Sequence, residues 1–468
     1  MTEAPCAFAR IGGVAPSYPR LHPLVGQQEL ENAVTDRPSD ISAATRRGAL
    51  KLGLGAAAAG AFAGSASAQQ MNLFSAQAEW KDRYDAAAGG VATRTSSSRT
   101  PTLSPETAQA TEQAIATYRE LVSNGGWNTV ANGPRLKLGS TGERVVELRR
   151  RLMVTGDLSQ NLGMSPTFDS YVEGAVRRFQ ARHGLIPVGV VGDDTLQSLN
   201  IPAATRLRQL EINVVRIRTM AGGNLGERYV MANIPAAEVE AVENGMVAAR
   251  YTAVVGKVDR ASPVLDAKIL QVNLNPFWTV PASIVKKDLI PQMQKDSKYL
   301  EKKNIRIIDK TGVEISPEQI NWQTDEATRY MYKQDPGEDN SMGTVRINMQ
   351  NQHGVYMHDT PSKNLFGDNA RFHSSGCMRI QNVKELCTWL LKPSGNWDRR
   401  SLDAAIKTGN RTDIQVTPPV PVYWRYISGW GAADGTVQFR EDIYGQDGTG
   451  ELAMADGGAS QATGSAQR

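Results

Sequence analysis

Three side chains able to ligate a metal or attack a carbonyl fall inside one short window, Gly354–Ile380, which reads "GVYMHDTPSKNLFGDNARFHSSGCMRI". His358, His373 and Cys377 lie there, although the 468-residue chain holds only five histidines and three cysteines. A metal site, a thiol nucleophile with its base, or packing could each produce such a cluster. A zinc set would take His353 and His358 together with His373 and Cys377, spacings that ligands can have. If "GVYMH" belongs to a strand, however, His353 and His358 point to opposite faces, which divides that set. The nucleophile arrangement uses more of the window. Ser374, Ser375 and Gly376 precede Cys377, and a glycine there lets the backbone turn sharply and aim consecutive N–H groups at one point, as an oxyanion hole requires. His358 ends the strand nineteen residues earlier, and a Cys–His pair can ionise to thiolate and imidazolium.

A reactive thiol has to be judged with its compartment. The segment "TRRGALKLGLGAAAAGAFAGSASAQQ" joins Arg46–Arg47 to a short apolar run and closes on Ala66-Ser67-Ala68. That order resembles a twin-arginine export signal with a small-residue cleavage site, so the mature chain is expected to start at Gln69 and to work in the periplasm. No later stretch is long and apolar enough for a membrane span. Beyond residue 68 the chain keeps 46 Lys and Arg against 43 Asp and Glu. This near balance gives no support to nucleic-acid binding. Cys6 leaves with the signal, and two cysteines ten residues apart do not make a disulfide framework. Cys387 sits in "VKELCTWLL", where Val383, Leu386, Leu390 and Leu391 follow helical spacing, so it reads as a buried small hydrophobe.

The elements that must position the window follow from periodicity. From Met71 to about Arg99 the chain is rich in Ala, Gly, Ser and Thr and reads as a tether. Ser104 and Pro105 start a helix with Ala114, Ile115, Tyr118 and Leu121 on one face. Two further amphipathic helices carry Val145, Leu148 and Leu152, then Val172, Val176 and Phe179, with Gly-rich turns after each. "IPAATRLRQLEINVVRIRTM" reads as a long strut helix. From Arg228 the pattern changes to alternating, β-branched stretches typical of antiparallel strands. It lapses over 286–335, which is polar and Lys-rich, and resumes at "TVRINMQNQHGVYMHDT". A strand domain interrupted by a polar insertion describes this, and such an insertion beside a site can act as a lid.

Two family resemblances rest on these stretches. "AVRRFQ" and "GVVGDDTLQSLN" resemble the three-helix peptidoglycan-binding domain. "VYMHDTPSKNLF" and "SSGCMRI", with "NPFWTVPASIVKKDLIP", "GVEISPEQINW", "YKQDPGEDNSMGTVRINMQN" and "DGTVQFREDIYGQD", resemble the L,D-transpeptidases of bacterial cell walls, in their large periplasmic branch with an inserted capping region. The resemblance implies an α+β chain: a mainly β catalytic domain with a helical and loop capping insertion, a small three-helix peptidoglycan-binding domain, and N-terminal supporting helices. The implied order is a signal region over 1–68, a flexible linker over 69–103, a helical scaffold over 104–133, the peptidoglycan-binding domain over 134–201, a scaffold helix over 202–227, the catalytic domain over 228–447 with its cap at about 286–335, and a disordered tail over 448–468.

The resemblance also implies roles. Cys377 matches the nucleophile, His358 the general base, and the backbone carbonyl of Asp359 the group that orients the imidazole. The N–H groups of Gly376 and Cys377, with Ser375, match the oxyanion hole. Arg379 matches a basic position after the nucleophile, there to support the loop or to face a substrate carboxylate, and His373 a loop or substrate contact. Where the family often has histidine directly before the glycine, this chain has Ser375. Trp278 and Tyr356 are candidate walls of the peptide groove or, equally, core aromatics. The implied reaction is attack on the third residue of a peptidoglycan stem peptide, release of the terminal D-alanine, and transfer from a thioester to a second stem, giving a diaminopimelate–diaminopimelate cross-link. Neither metal nor cofactor is required, and carbapenems are expected inhibitors. Transfer to a lysine of an outer-membrane protein, transfer to water, and non-catalytic wall binding stay open.

Overall fold

The computed structural model describes residues 98–448. The expected export segment, the tether over 69–97 and the tail from 449 onward lie outside the described residues. Order begins before the helix expected at Ser104. Thr102 and Leu103 are buried, the Thr102 N–H and hydroxyl both donate to Glu240, and the Val247 N–H donates to the Arg99 carbonyl. Residues 98–103 are therefore packed, which corrects the expected linker end at 103. Backbone pairing and a buried carboxylate outweigh the weak local propensity of this Ser/Thr-rich stretch.

Helix α1 (Pro105–Ser123) starts as its sequence requires, with the Ser104 side chain accepting from the Thr107 N–H and proline in the first turn. Helices α2 (Glu143–Val154), α3 (Ser170–Arg182) and α4 (Asp193–Leu199) enclose a core of their own, in which Val145, Leu148, Leu152, Val172, Val176 and Phe179 lose all exposure. Each such side chain contributes about 1.5–3 kcal/mol by burial. The long helix α5 (Ala203–Ala221) lies against α1 through Leu210 and Val214, and Phe439 joins them. Val215, on the outer face of α5, is 59% exposed.

The alternating segments form a closed ring of strands. β1 (Arg228–Asn233), β2 (Glu238–Glu243), β3 (Met246–Gly256) and β4 (Leu265–Leu274) precede the insertion, whose own strands are β5 (Trp278–Val280), β6 (Ile305–Ile308), β7 (Glu314–Ile315) and β8 (Met331–Gln334). After it come β9 (Val345–Met349), β10 (Met357–His358), β11 (Phe372–Ser374), β12 (Met378–Ile380) and β13 (Thr412–Arg425). Hydrogen-bonded neighbours run β11-β3-β12-β10-β9-β4-β13-β1-β2, and β2 also pairs with β3, so eight strands close on themselves while β11 is appended to β3. Three pairings are parallel, β1 with β13, β10 with β12 and β11 with β3. The ladder is thus mixed, where alternation alone had suggested antiparallel strands. Inside it Val272, Ile347, Met357, Met378 and Ile380 meet helix α6 (Val383–Leu391), whose Leu386 and Cys387 are fully buried.

The insertion is more than loops and helices. Trp278 pairs with Gln334, and β6 pairs with both β8 and β7, so the inserted unit runs over 278–334 rather than 286–335. Short helical turns between Ala282 and Lys302 pack on this four-stranded sheet around Val285, Leu289, Leu300, Ile307 and Tyr332. Its strands are only two to four residues long, too short for alternation to stand out against the lysines.

Candidate functional site

Ring register explains how distant residues meet. Met357 pairs with Met378 and His358 with Arg379 on the parallel strands β10 and β12. Met357, Met378 and Ile380 point into the core. Their neighbours Tyr356, His358, Cys377 and Arg379 therefore share the opposite face, because side chains alternate along a strand. Cys377 and His358 are diagonal neighbours across adjacent strands, a relation in which Cα atoms lie roughly 7–8 Å apart and long side chains reach each other. On the other side β9 presents Arg346 directly opposite His358. The Arg346 guanidinium lies 4.5 Å from the centre of the Tyr356 ring, and that ring is 5.6 Å from the His358 imidazole.

Burial governs the charge of the pair. It raises the Cys377 thiol to about 11, although the Tyr356 N–H and the guanidiniums of Arg346 and Arg379 all favour the thiolate. Burial, with Arg379 and then Arg346 opposing a second positive charge, lowers His358 to about 3. Both partners are thus neutral near pH 7, a correction to the expected thiolate–imidazolium pair: desolvation outweighs every stabilising neighbour. A neutral imidazole is the form that accepts a proton. The Asp359 backbone carbonyl stands in hydrogen-bonding contact with the ring and favours a proton on it, as its expected orienting place requires, although the contact at Nδ1 is looser than an ideal hydrogen bond. The Asp359 carboxylate faces elsewhere, accepting from Thr344 and pairing with Lys363 at 2.5 Å. Against the cost of burial, Lys363 and the N–H groups of Thr344 and Thr360 hold it below the ordinary carboxylate range.

The nucleophile loop is braced from behind. Between β11 and β12 it passes over the end of β3, which both strands flank. Gly376 adopts a φ of +109°, open to glycine and rarely to other residues. Its N–H donates to Ser374 Oγ at 3.2 Å and so is already engaged. This departs from its expected place in an oxyanion hole beside the Cys377 N–H. Ser262 Oγ donates to the Gly376 carbonyl at 2.8 Å and accepts from the Gly256 N–H, while Tyr444 donates to the Gly256 carbonyl. Arg260 donates to Ser375 Oγ at 2.9 Å and pairs with Asp288 of the insertion at 2.5 Å. Ser375 is thus tied to the cap through one guanidinium.

Of the remaining expected residues, Tyr356 stands beside Cys377 and is in contact with Trp278 on β5, and burial raises its phenol, which stays protonated. Arg379 is adjacent in the row, with a buried Nε that has no partner. His373 lies on β11, one strand beyond β3, half-exposed and 3.4 Å from Asp368, so it is set apart from the Cys377–His358 row. His353 is exposed in a turn, not on a strand; β10 is only two residues long. The zinc set therefore fails on position and not on facing, and among the described residues no three His, Cys, Asp or Glu side chains gather as metal ligands. Sequence reasoning missed Arg346, Arg260 and Ser262. Alternation in "TVRINM" carried a signal for the first, since it puts Arg346 on the polar face with Asn348. Nothing local marked the other two.

Residues 227–421 match the family described as "L,D-transpeptidase catalytic domain", and residues 141–199 the family described as "Putative peptidoglycan binding domain". A "Putative L,D-transpeptidase" of Haemophilus influenzae is 30% identical over 259 residues, covering 54% of this chain and 52% of the relative, so the chain spans about half the length of that curated relative. Among solved structures, an L,D-transpeptidase from Xylanimonas cellulosilytica is 15% identical, covering 63% of this chain and 99% of that one at a TM-score of 0.21. Another from Stackebrandtia nassauensis is 13% identical, covering 56% and 90% at a TM-score of 0.24.

Proposed function

Starting from a chain that carries an L,D-transpeptidase catalytic domain and a peptidoglycan-binding domain, we propose that it cross-links peptidoglycan stem peptides in the periplasm through a thioester on Cys377. The observation that carries this reading is the register that sets Cys377 and a neutral His358 on one face of adjacent strands. In the first half-reaction His358 takes the thiol proton as sulfur bonds to the carbonyl of the third stem residue. Collapse of the tetrahedral intermediate breaks the amide, and the imidazolium returns the proton to the departing D-alanine amine. In the second, the side-chain amine of diaminopimelate on a neighbouring stem gives a proton to His358 and attacks the thioester. An amide forms, the C–S bond breaks, and the thiol recovers the proton. The Cys377 N–H supplies the remaining loop donor toward the developing oxyanion. The thioester preserves the energy of the cleaved amide, so the second half-reaction needs no added co-reactant. Trp278, in contact with Tyr356 over the thiol, supports a groove closed by the insertion.

The experiment is mass spectrometry of purified protein incubated with disaccharide-tetrapeptides. We expect a transient acyl adduct on the Cys377 peptide and dimers joined through diaminopimelate. A carbapenem adds its mass once on the same peptide and blocks dimer formation. Tripeptide alone as product would mean transfer to water; acylated lysine in an added outer-membrane protein would mean protein anchoring. An adduct on Ser375 would overturn the assignment of the nucleophile.

A further inference from the structure

We propose that Arg346 binds the terminal carboxylate of the donor peptide, the carboxylate on the residue that leaves. The inference rests on the transpeptidase reading and assigns a ligand to a side chain outside the Cys–His pair. Arg346 belongs to β9, the strand after β10 in the ring, and pairs with His358 in register. Across the face the order is Cys377 on the β12 side, His358 on β10 and Arg346 on β9. A donor whose scissile carbonyl sits on Cys377 must lay its departing amine over His358, which has to protonate it. The next group along the same direction is the carboxylate of that departing residue, and adjacent strands are about 4.8 Å apart, so it arrives over β9.

Arg346 is built to receive an anion. Its Nη2 donates to Asn348 Oδ1 at 3.1 Å, and the Tyr356 ring supports its plane. Its Nε is buried with no partner. No carboxylate lies within ion-pair distance among the described residues. The nearest acid in the same row, Asp413, is two strands away and is engaged by Arg411 and Asn273. A guanidinium stacked on a ring, part-buried and without a direct ion pair, with Asp413 acting on it only at a distance, presents the fork that a carboxylate fills with two parallel hydrogen bonds. Arg379, the other cation of the row, stands on the nucleophile's own strand and so on the wrong side of the base for the leaving residue.

The test compares two tetrapeptide donors that differ only in a C-terminal carboxylate or carboxamide, reading kcat/KM for acylation of Cys377 by mass. A charge-assisted hydrogen bond contributes about 10- to 100-fold, and the unaltered protein should prefer the acid by that factor. Arg346→Gln should bring the acid down to within a few-fold of the amide, so that the ratio of the two rates collapses, and Arg346→Lys should restore part of the preference. Equal loss on both donors, or a preference that survives Arg346→Gln, overturns the assignment. So does an unaltered protein that acylates both donors equally well, whatever the variants do. Absence of any Cys377 adduct with either donor would instead remove the transpeptidase reading itself.

Discussion

Two cysteines in one domain have opposite fates because of what surrounds them. Cys387 is fully buried on α6, whereas Cys377 keeps part of its surface open at a glycine turn. Cys377→Ala should abolish acyl transfer with the melting temperature nearly unchanged. Cys387→Ala should keep turnover and cost roughly 1 kcal/mol for the small cavity, which thermal denaturation with a parallel activity assay would show. Protonation gives a second expectation. With the thiol raised to about 11, alkylation of Cys377 by iodoacetamide should climb from pH 7 to pH 10 without a plateau near neutrality. His358 is lowered to about 3 from an unfolded value near 6.5. The unfolded chain thus binds more protons between those values, and the folded state loses stability as pH falls through that window. His358→Gln should remove this part of the acid sensitivity, measured as the difference in denaturation midpoint between pH 7 and pH 4.

The nucleophile loop holds its shape because β11 and β12 straddle β3 and because Ser262 and Arg260 grip it from the segment that follows β3. Gly376→Ala meets no close atom, its nearest neighbour being the Ala261 carbonyl oxygen at 3.5 Å, yet its backbone would be strained at +109°. Relaxing that strain, worth about 1–3 kcal/mol, would shift the adjacent sulfur. We expect kcat to fall by more than tenfold with KM little altered and the circular dichroism spectrum unchanged; a proportional rise in KM would argue against a positioning effect. The gripping residues also show why part of the site escaped sequence reading. Cys377 and His358 could be read because rare residue types fell beside a glycine turn and at a strand end. The strands around them could be read because β3 and β4 run eleven and ten residues, long enough for their apolar and β-branched content to stand out. Ser262 and Arg260 act only through the fold, more than a hundred residues from the loop they hold, and carry no local pattern. Strands of two to four residues in the insertion fall below the length at which alternation is legible.

At the scale of the whole chain, separate cores are joined by a few polar contacts, among them Arg182 Nη1 donating to the Val437 carbonyl at 3.4 Å. Asp157 and Arg182 pair at 2.5 Å, both almost fully buried, where α2 and α3 end. Asp157→Asn leaves that guanidinium uncompensated, so we expect a loss of about 3–5 kcal/mol confined to residues 134–201, seen as early hydrogen exchange there while the ring strands stay protected. The insertion is attached differently. Leu274 and Val345, the residues where the chain leaves and rejoins the ring, are partners in the β4–β9 ladder, and the Asn275 N–H donates to the Thr344 carbonyl. The whole segment over 278–334 therefore hangs from the tip of a hairpin whose stem closes itself, and lengthening such a tip costs only a fraction of a kcal/mol per doubling. The stem is a ready-made graft point. A differently shaped segment could be exchanged there, changing which peptides reach the thiol, while the ladder that aligns Cys377, His358 and Arg346 keeps its register.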